Sequence, residues 1–267
     1  MFAGFFVILG GKPKIKMKRI VIMVSVLALC TAAMAQPGKK PAAPKNPHLD
    51  VFYQALQAGD LSSSILSLNY YVAGQNGNTP YADTLAMLYM QQGAYAQCYH
   101  WANRRLVQSP EDITLMEMKA VCLDKLQQPT EAITLFEKLF KKTQSPFHAY
   151  KLMELQYTIK RLIECVNTAT AAEKLTYKPE YIMPYVLGEQ TGRTYLQAGV
   201  YNIHALALYD LDRKAEAKAY FERALALDSS FALAKQNLQA MRAAEAAANK
   251  GVGNTPTQGA PPANKQD

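Results

Sequence analysis

The sequence holds only four histidines, four cysteines and one tryptophan in 267 residues, and none falls in a pattern that builds a catalytic centre. His48, His100, His148 and His204 are separated by roughly 50 residues each, so none has a neighbour at metal-ligand spacing. There is no HExxH, CxxC, GxSxG or glycine-rich phosphate loop. Each absence removes a class: zinc protease, dithiol oxidoreductase, serine hydrolase and nucleotide-binding enzyme. No metal and no cofactor is expected, and the chain is read as no enzyme. His204 and Trp101 are read as packing residues.

Charge of one sign is scarce as well. The formal net charge is +8, but Lys12, Lys14, Lys16, Lys18 and Arg19 all lie at positions 1–35, a stretch that contains no acid. The remainder carries +3, and residues 48–248 hold 19 basic against 20 acidic side chains. A phosphate-tracking surface needs a clustered positive excess, so nucleic acid is not the expected partner. Beyond Cys30, the cysteines are Cys98, Cys122 and Cys165. Three cannot all pair, and a disulfide framework is excluded by count. Cys98 and Cys122 fall on adjacent helices and either pair or pack as small buried hydrophobes.

Residues 17–36 have the order of a secretory leader. Lys18 and Arg19 form a charged region, Ile20 to Leu29 an apolar core, and Ala33-Met34-Ala35 a small-x-small cleavage site before Gln36. Residues 1–35 are therefore expected to be a signal peptide, with Met17 as the start or with an unusually long leader. The apolar core is too short to span a membrane comfortably. Leu27-Ala28-Leu29-Cys30 resembles a lipid-attachment box, but Leu29 is not the small residue such a box requires. Membrane association is expected only if Cys30 is lipidated. Residues 36–47 carry four prolines and read as a disordered linker, and residues 249–267 as a disordered tail.

Between these ends the chain repeats itself. Windows beginning at Thr79, Ile113 and Phe147 superpose at one constant offset. Position 8 falls on Ala86, Ala120 and Glu154, position 11 on Tyr89, Leu123 and Tyr157, and position 20 on Cys98, Ala132 and Val166. Small residues at 8 and 20 let two helices cross closely, while large ones at 11 and 24 fill the flanks. A first unit runs over 45–78, with Gly59 at the turn position 15 and Phe52 opposite Ser64. Units follow at 79–112, 113–146 and 147–174, the last on a weaker match. A fifth, at 198–231, places Ala205 at 8, Ala217 at 20 and Phe221 at 24. It is out of phase with the fourth, because one and a half periods separate Phe147 from Ala198. The stretch 175–197, with Pro179, Pro184, several tyrosines and a Gly188–Gly192 turn signal, reads as an inserted β-hairpin. Residues 232–248, with Ala234, Leu238 and Met241 at helical spacing, read as a capping helix.

A 34-residue period with small residues at 8 and 20 resembles the tetratricopeptide repeat (TPR) family. The resemblance implies an all-α, right-handed solenoid of about five helix pairs with the C-terminal cap and the hairpin before the last repeat. It also implies a binding scaffold whose concave groove is lined by positions 2, 5, 9, 12 and 13 of each first helix. Those positions here include Tyr53, Asp83, Met87, Met90, Glu117, Val121, Asp124, Lys151, Leu155, Asn202 and Tyr209. The family's carboxylate clamp needs lysine and asparagine at positions 5 and 9, where this chain has Asp83 and Met87. Met118 and Leu152 stand where further clamp residues belong. An acidic chaperone tail is therefore not the expected ligand, and the Met/Tyr stripe suits an apolar or amphipathic segment of a protein or peptide partner. A leader, repeats and an insert together are similar to exported repeat proteins of Gram-negative bacteria, especially the Bacteroides group, which implies the periplasm or cell surface. The alternatives are a lipid-anchored outer-membrane assembly subunit and an accessory envelope enzyme that uses the insert.

Overall fold

The computed structural model describes residues 46–252. The expected leader, Cys30 and residues 253–267 lie outside the described residues. Five helix pairs follow one another: Pro47–Gln57 (α1) with Leu61–Gly74 (α2), Tyr81–Gln92 (α3) with Tyr95–Gln108 (α4), Ile113–Lys125 (α5) with Pro129–Thr143 (α6), Pro146–Thr158 (α7) with Leu162–Ala172 (α8), and Leu196–Asp210 (α9) with Lys214–Leu227 (α10). An antiparallel hairpin, Ile182–Leu187 (β1) and Gln190–Tyr195 (β2), precedes α9, and Ala232–Val252 (α11) closes the stack.

Local chemistry sets the helix boundaries. Asn46, Asp60 and Asp112 each accept a backbone N–H of the helix they precede, at 3.0 Å, which satisfies one of the orphan donors of a first turn. Proline opens α6 and α7, where its missing N–H costs nothing. Asn46 and Pro47, assigned by sequence to the linker, are thus the cap and first residue of α1. At the other end α11 runs past residue 248 to Val252, carried on by the helix-favouring alanine run from Ala243 to Ala248.

Each pair turns through one residue in the left-handed conformation. Gly59 and Gly93 supply it without steric cost, whereas Gln127, Lys160 and Asp212 adopt it with φ of 60–62°. Four of the five stand at position 15, but Lys160 comes one residue early. The second helices show the same slip: α2, α4 and α6 start at Leu61, Tyr95 and Pro129, evenly spaced, and α8 starts at Leu162, one residue short of that spacing. The fourth repeat therefore begins at Pro146, not Phe147, and the excess before the fifth grows by one residue. The cause is the short α6–α7 connection, where Gln144 turns left-handed at φ 49° and Ser145 leads straight into Pro146.

The slip explains why the fourth unit matched poorly. Met153 and Cys165, both with no exposed surface, occupy positions 8 and 20, while Glu154 and Val166 are only half-buried. In the third and fifth units Ala120 with Ala132 and Ala205 with Ala217 hold these places, again without exposure. Position 11 of the fourth unit becomes Gln156, where other units place Tyr89, Leu123 and Leu208. Gln156 is 2% exposed and its Oε1 has no hydrogen-bond partner. A buried acceptor left unpaired costs about 1–3 kcal/mol. Gln156→Leu should therefore raise the unfolding free energy by about 1 kcal/mol in chemical denaturation, with an unchanged m-value.

The hairpin is tighter than the sequence implied. Only Gly188 and Glu189 form the turn, and Gly192 lies in β2 opposite Tyr185. Gly192 suits that place because a Cβ there would overlap the Tyr185 ring. Residues 196 and 197, assigned to the insert, already belong to α9. The hairpin is docked on the solenoid. Met183 is buried over Gly199 of α9, where any side chain would collide with its sulfur. Tyr181 packs on Phe147, Tyr185 on Phe231, and the Tyr185 hydroxyl accepts the Ala232 N–H at 3.1 Å. Thr194 Oγ1 donates to Asp228 Oδ2 at 2.6 Å. The insert thus ties the starts of α7, α9 and α11 together along one edge of the stack.

Candidate functional site

The first helices of successive repeats form an inner layer: α3 packs on α5 and α7 on α9, and side chains link α1 to α3 and α5 to α7. On that layer Tyr53 and Met87 are each 41% exposed, and Asp83, Glu117, Asp124, Lys151 and Tyr209 are half-buried. These seven residues present a surface with two large apolar side chains among acids and one lysine.

Four other groove candidates do not reach that surface. Met90, Val121 and Leu155 are at most 6% exposed and belong to the central apolar cluster with Phe136 and Leu139. Asn202 is 3% exposed, and its Oδ1 accepts the Asn237 Nδ2–H of α11 at 2.9 Å, so the cap covers the place a ligand would take. Leu155 and Lys151 were also assigned in the unshifted frame. Position 9 of the fourth unit is Glu154, which accepts from Lys151 Nζ at 2.5 Å. Met118 and Leu152, the would-be clamp positions, are buried as well.

Several exposed candidates also act as struts between repeats. The Tyr53 and Tyr81 hydroxyls are 2.8 Å apart, joining α1 to α3. Glu117 Oε1 lies 2.5 Å from His148 Nε2, joining α5 to α7, and His148 Nδ1 lies 2.6 Å from Thr143 Oγ1. Within the second repeat, Asp83 pairs with Arg105 of α4. Tyr81, Arg105 and His148 were not singled out from sequence. His148 stands at position 3 of the fourth repeat, which is not a groove position, so the repeat pattern carried no signal for it.

A second polar cluster lies between α8, α9 and α10. His204, 3% exposed, has Nδ1 3.0 Å from Glu173 Oε1 and its ring 4.0 Å from the Tyr220 ring. Arg223 donates to Glu173 and to the Tyr201 hydroxyl, both at 2.9 Å, and its guanidinium lies over the Tyr201 and Tyr220 rings. Burial lowers the His204 pKa below its ordinary 6.5, and Arg213 and Arg223 reinforce this against Glu173. The unfolded chain thus takes up the proton first. The stabilisation from neutral His204 is complete above pH 6.5 and is lost as pH falls through the depressed folded value. The thermal midpoint should fall between pH 7.5 and 5, and His204→Gln should make that fall shallower.

Among the described residues no group of three or more histidine, cysteine or acidic side chains could hold a metal ion, and no helix is long and apolar enough to cross a membrane. An open depression of about 510 Å³ beside the hairpin, bordered by Ser145, Lys174, Lys178 and Tyr181, contains none of the groove candidates.

No curated protein matches the chain in sequence. Among solved structures, MamA AMB-1 is similar with a TM-score of 0.54 at 17% identity, over 68% of this chain and 91% of that one. YrrB, described as a TPR protein with an unusual peptide-binding site, is similar with a TM-score of 0.57 at 12% identity, over 72% of this chain and 91% of that one. At these identities the likeness is one of fold. The family model described as tetratricopeptide repeat matches residues 198–231, the unit formed by α9 and α10. Residues 198–231 are a tetratricopeptide repeat, and they complete a helical solenoid with the fold of TPR proteins.

Proposed function

We propose that the chain is a non-catalytic scaffold that holds an amphipathic segment of a protein partner along the inner face of its first helices. The observation that carries this reading is the exposure of Tyr53 and Met87, large apolar side chains at groove positions of the first two first helices, each 41% exposed. Large exposed apolar groups rimmed by polar ones mark interaction surfaces, and methionine adapts its shape to what it meets. Asp83, Glu117 and Asp124, each paired within the chain, give that face its polar rim. Stacked repeats hold such a face rigidly over several helices, and YrrB, of similar fold, has a peptide-binding site. Selection of a displayed random-peptide library on the full chain tests the reading. It should enrich peptides with paired apolar anchors, bound at least tenfold more weakly by Met87→Asp. Enrichment of nothing, or of peptides indifferent to Met87→Asp, would refute it.

The proposed site of action is the periplasm or cell surface of a Gram-negative bacterium, and the leader-like order of residues 17–36 supports it. Leu29 before Cys30 favours a soluble product over a lipid-anchored one. Intact mass of the exported protein should give Gln36 as the first residue; an acylated Cys30 would replace this reading with that of a lipid-anchored assembly subunit.

A further inference from the structure

Cys98 lies on α4 and Cys122 on α5, helices that pack on each other across the junction of the second and third repeats. Both residues have no exposed surface, both belong to the same apolar cluster, and Cys98 is the neighbour that most perturbs the Cys122 thiol. Cys165 lies in a different cluster on α8, where its thiol donates to the Met153 carbonyl at 3.5 Å. Two of the three cysteines among the described residues therefore share one repeat junction, and the third is held apart from them.

We propose that Cys98 and Cys122 form a disulfide that staples the second repeat to the third when the chain folds in the presence of a disulfide donor. The step is thiol–disulfide exchange. The thiolate of one cysteine attacks a sulfur of the donor RSSR, forming a mixed disulfide and releasing RS⁻, which is protonated to RSH. The thiolate of the other cysteine then attacks the protein-bound sulfur and displaces the second RS⁻. Two protein thiols are oxidised to one disulfide, and the donor is reduced to two RSH.

Burial dictates when this happens. In the folded chain neither sulfur is exposed, and the neighbouring Cys98 thiol, together with burial, raises the Cys122 thiol far above the ordinary range. The folded dithiol is therefore inert. Exchange belongs to the incompletely folded chain, in which α4 and α5 have met while their thiols are still wet. Once closed, the bond is shielded from reductants by the same packing. The bond crosses a repeat boundary, so it strengthens the nearest-neighbour interface on which a solenoid depends.

The test begins with the full chain, unfolded and reduced in guanidinium chloride. It is refolded in oxidised and reduced glutathione, and separately with a thiol reductant, while circular dichroism follows the return of helix. Alkylation under denaturing conditions and tryptic digestion should then show the Cys122 peptide, residues 120–125, linked to the Cys98 peptide, with Cys165 alkylated. Tm should be about 5–10 °C higher than that of the reduced chain. Protein folded while reduced and only then given oxidised glutathione should keep both thiols. Cys122→Ser should retain the helical spectrum and lose the redox dependence of Tm. The same digestion of protein purified from oxidising and reducing cell compartments reads the linkage without refolding. The proposal is overturned by full alkylation of Cys98 and Cys122 after oxidative folding, by linkage of either to Cys30 or Cys165, or by an unchanged Tm.

Discussion

Phe136→Ala lowers the unfolding free energy by about 3–5 kcal/mol, which for a domain of this size moves Tm down by roughly 6–20 °C. Phe136, 2% exposed, stands at position 24 of the third unit within the apolar cluster that spans α3 to α7. Its ring lies 6.4 Å from that of His148, whose Nε2 meets Glu117. Truncation therefore opens a cavity between repeats and loosens the Glu117–His148 strut. Differential scanning calorimetry measures the loss. A change of less than about 1 kcal/mol would mean that the third and fourth repeats do not share one core.

Ala132→Leu costs about 1–3 kcal/mol, and Glu131→Leu, one residue earlier on α6, costs little. Ala132 and Ala120 have no exposed surface and occupy positions 20 and 8 of the third unit, where α6 crosses α5. Added methylenes there must push the helices apart. Glu131, the neighbouring residue on α6, is exposed. The contrast matters more than either value, because it reads the phase of the repeat. Equal harmlessness in thermal denaturation would place the groove residues on the wrong side of their helices.

The repeat was legible because close packing leaves a compositional mark. Alanine at 86, 120 and 205 faces a small residue twelve positions later, and no other arrangement lets those helices cross so closely. The hairpin was legible from the lost helical spacing between Leu175 and Gln197. The one-residue slip at Pro146 was hidden, since it arises from backbone geometry at Gln144 that composition does not announce. Tyr157 favoured the later frame, because the true position 11 is the polar Gln156. The groove was legible only in part. Position in a repeat says which way a side chain points, but burial depends on what the next repeat brings against it. Met90, Val121 and Leu155 point inward among neighbours long enough to cover them, and Asn202 is covered by Asn237 from a helix beyond the last repeat.

Hydrogen–deuterium exchange on the full chain, with and without a peptide selected on it, tests the central claim most directly. Slowed exchange is expected in α1, α3, α5 and α7, with α2, α4, α6 and α8 unchanged, and Met87→Asp should abolish the difference. Slowing confined to the second helices, or to the hairpin at 182–195, would contradict the assignment of the inner face as the binding surface.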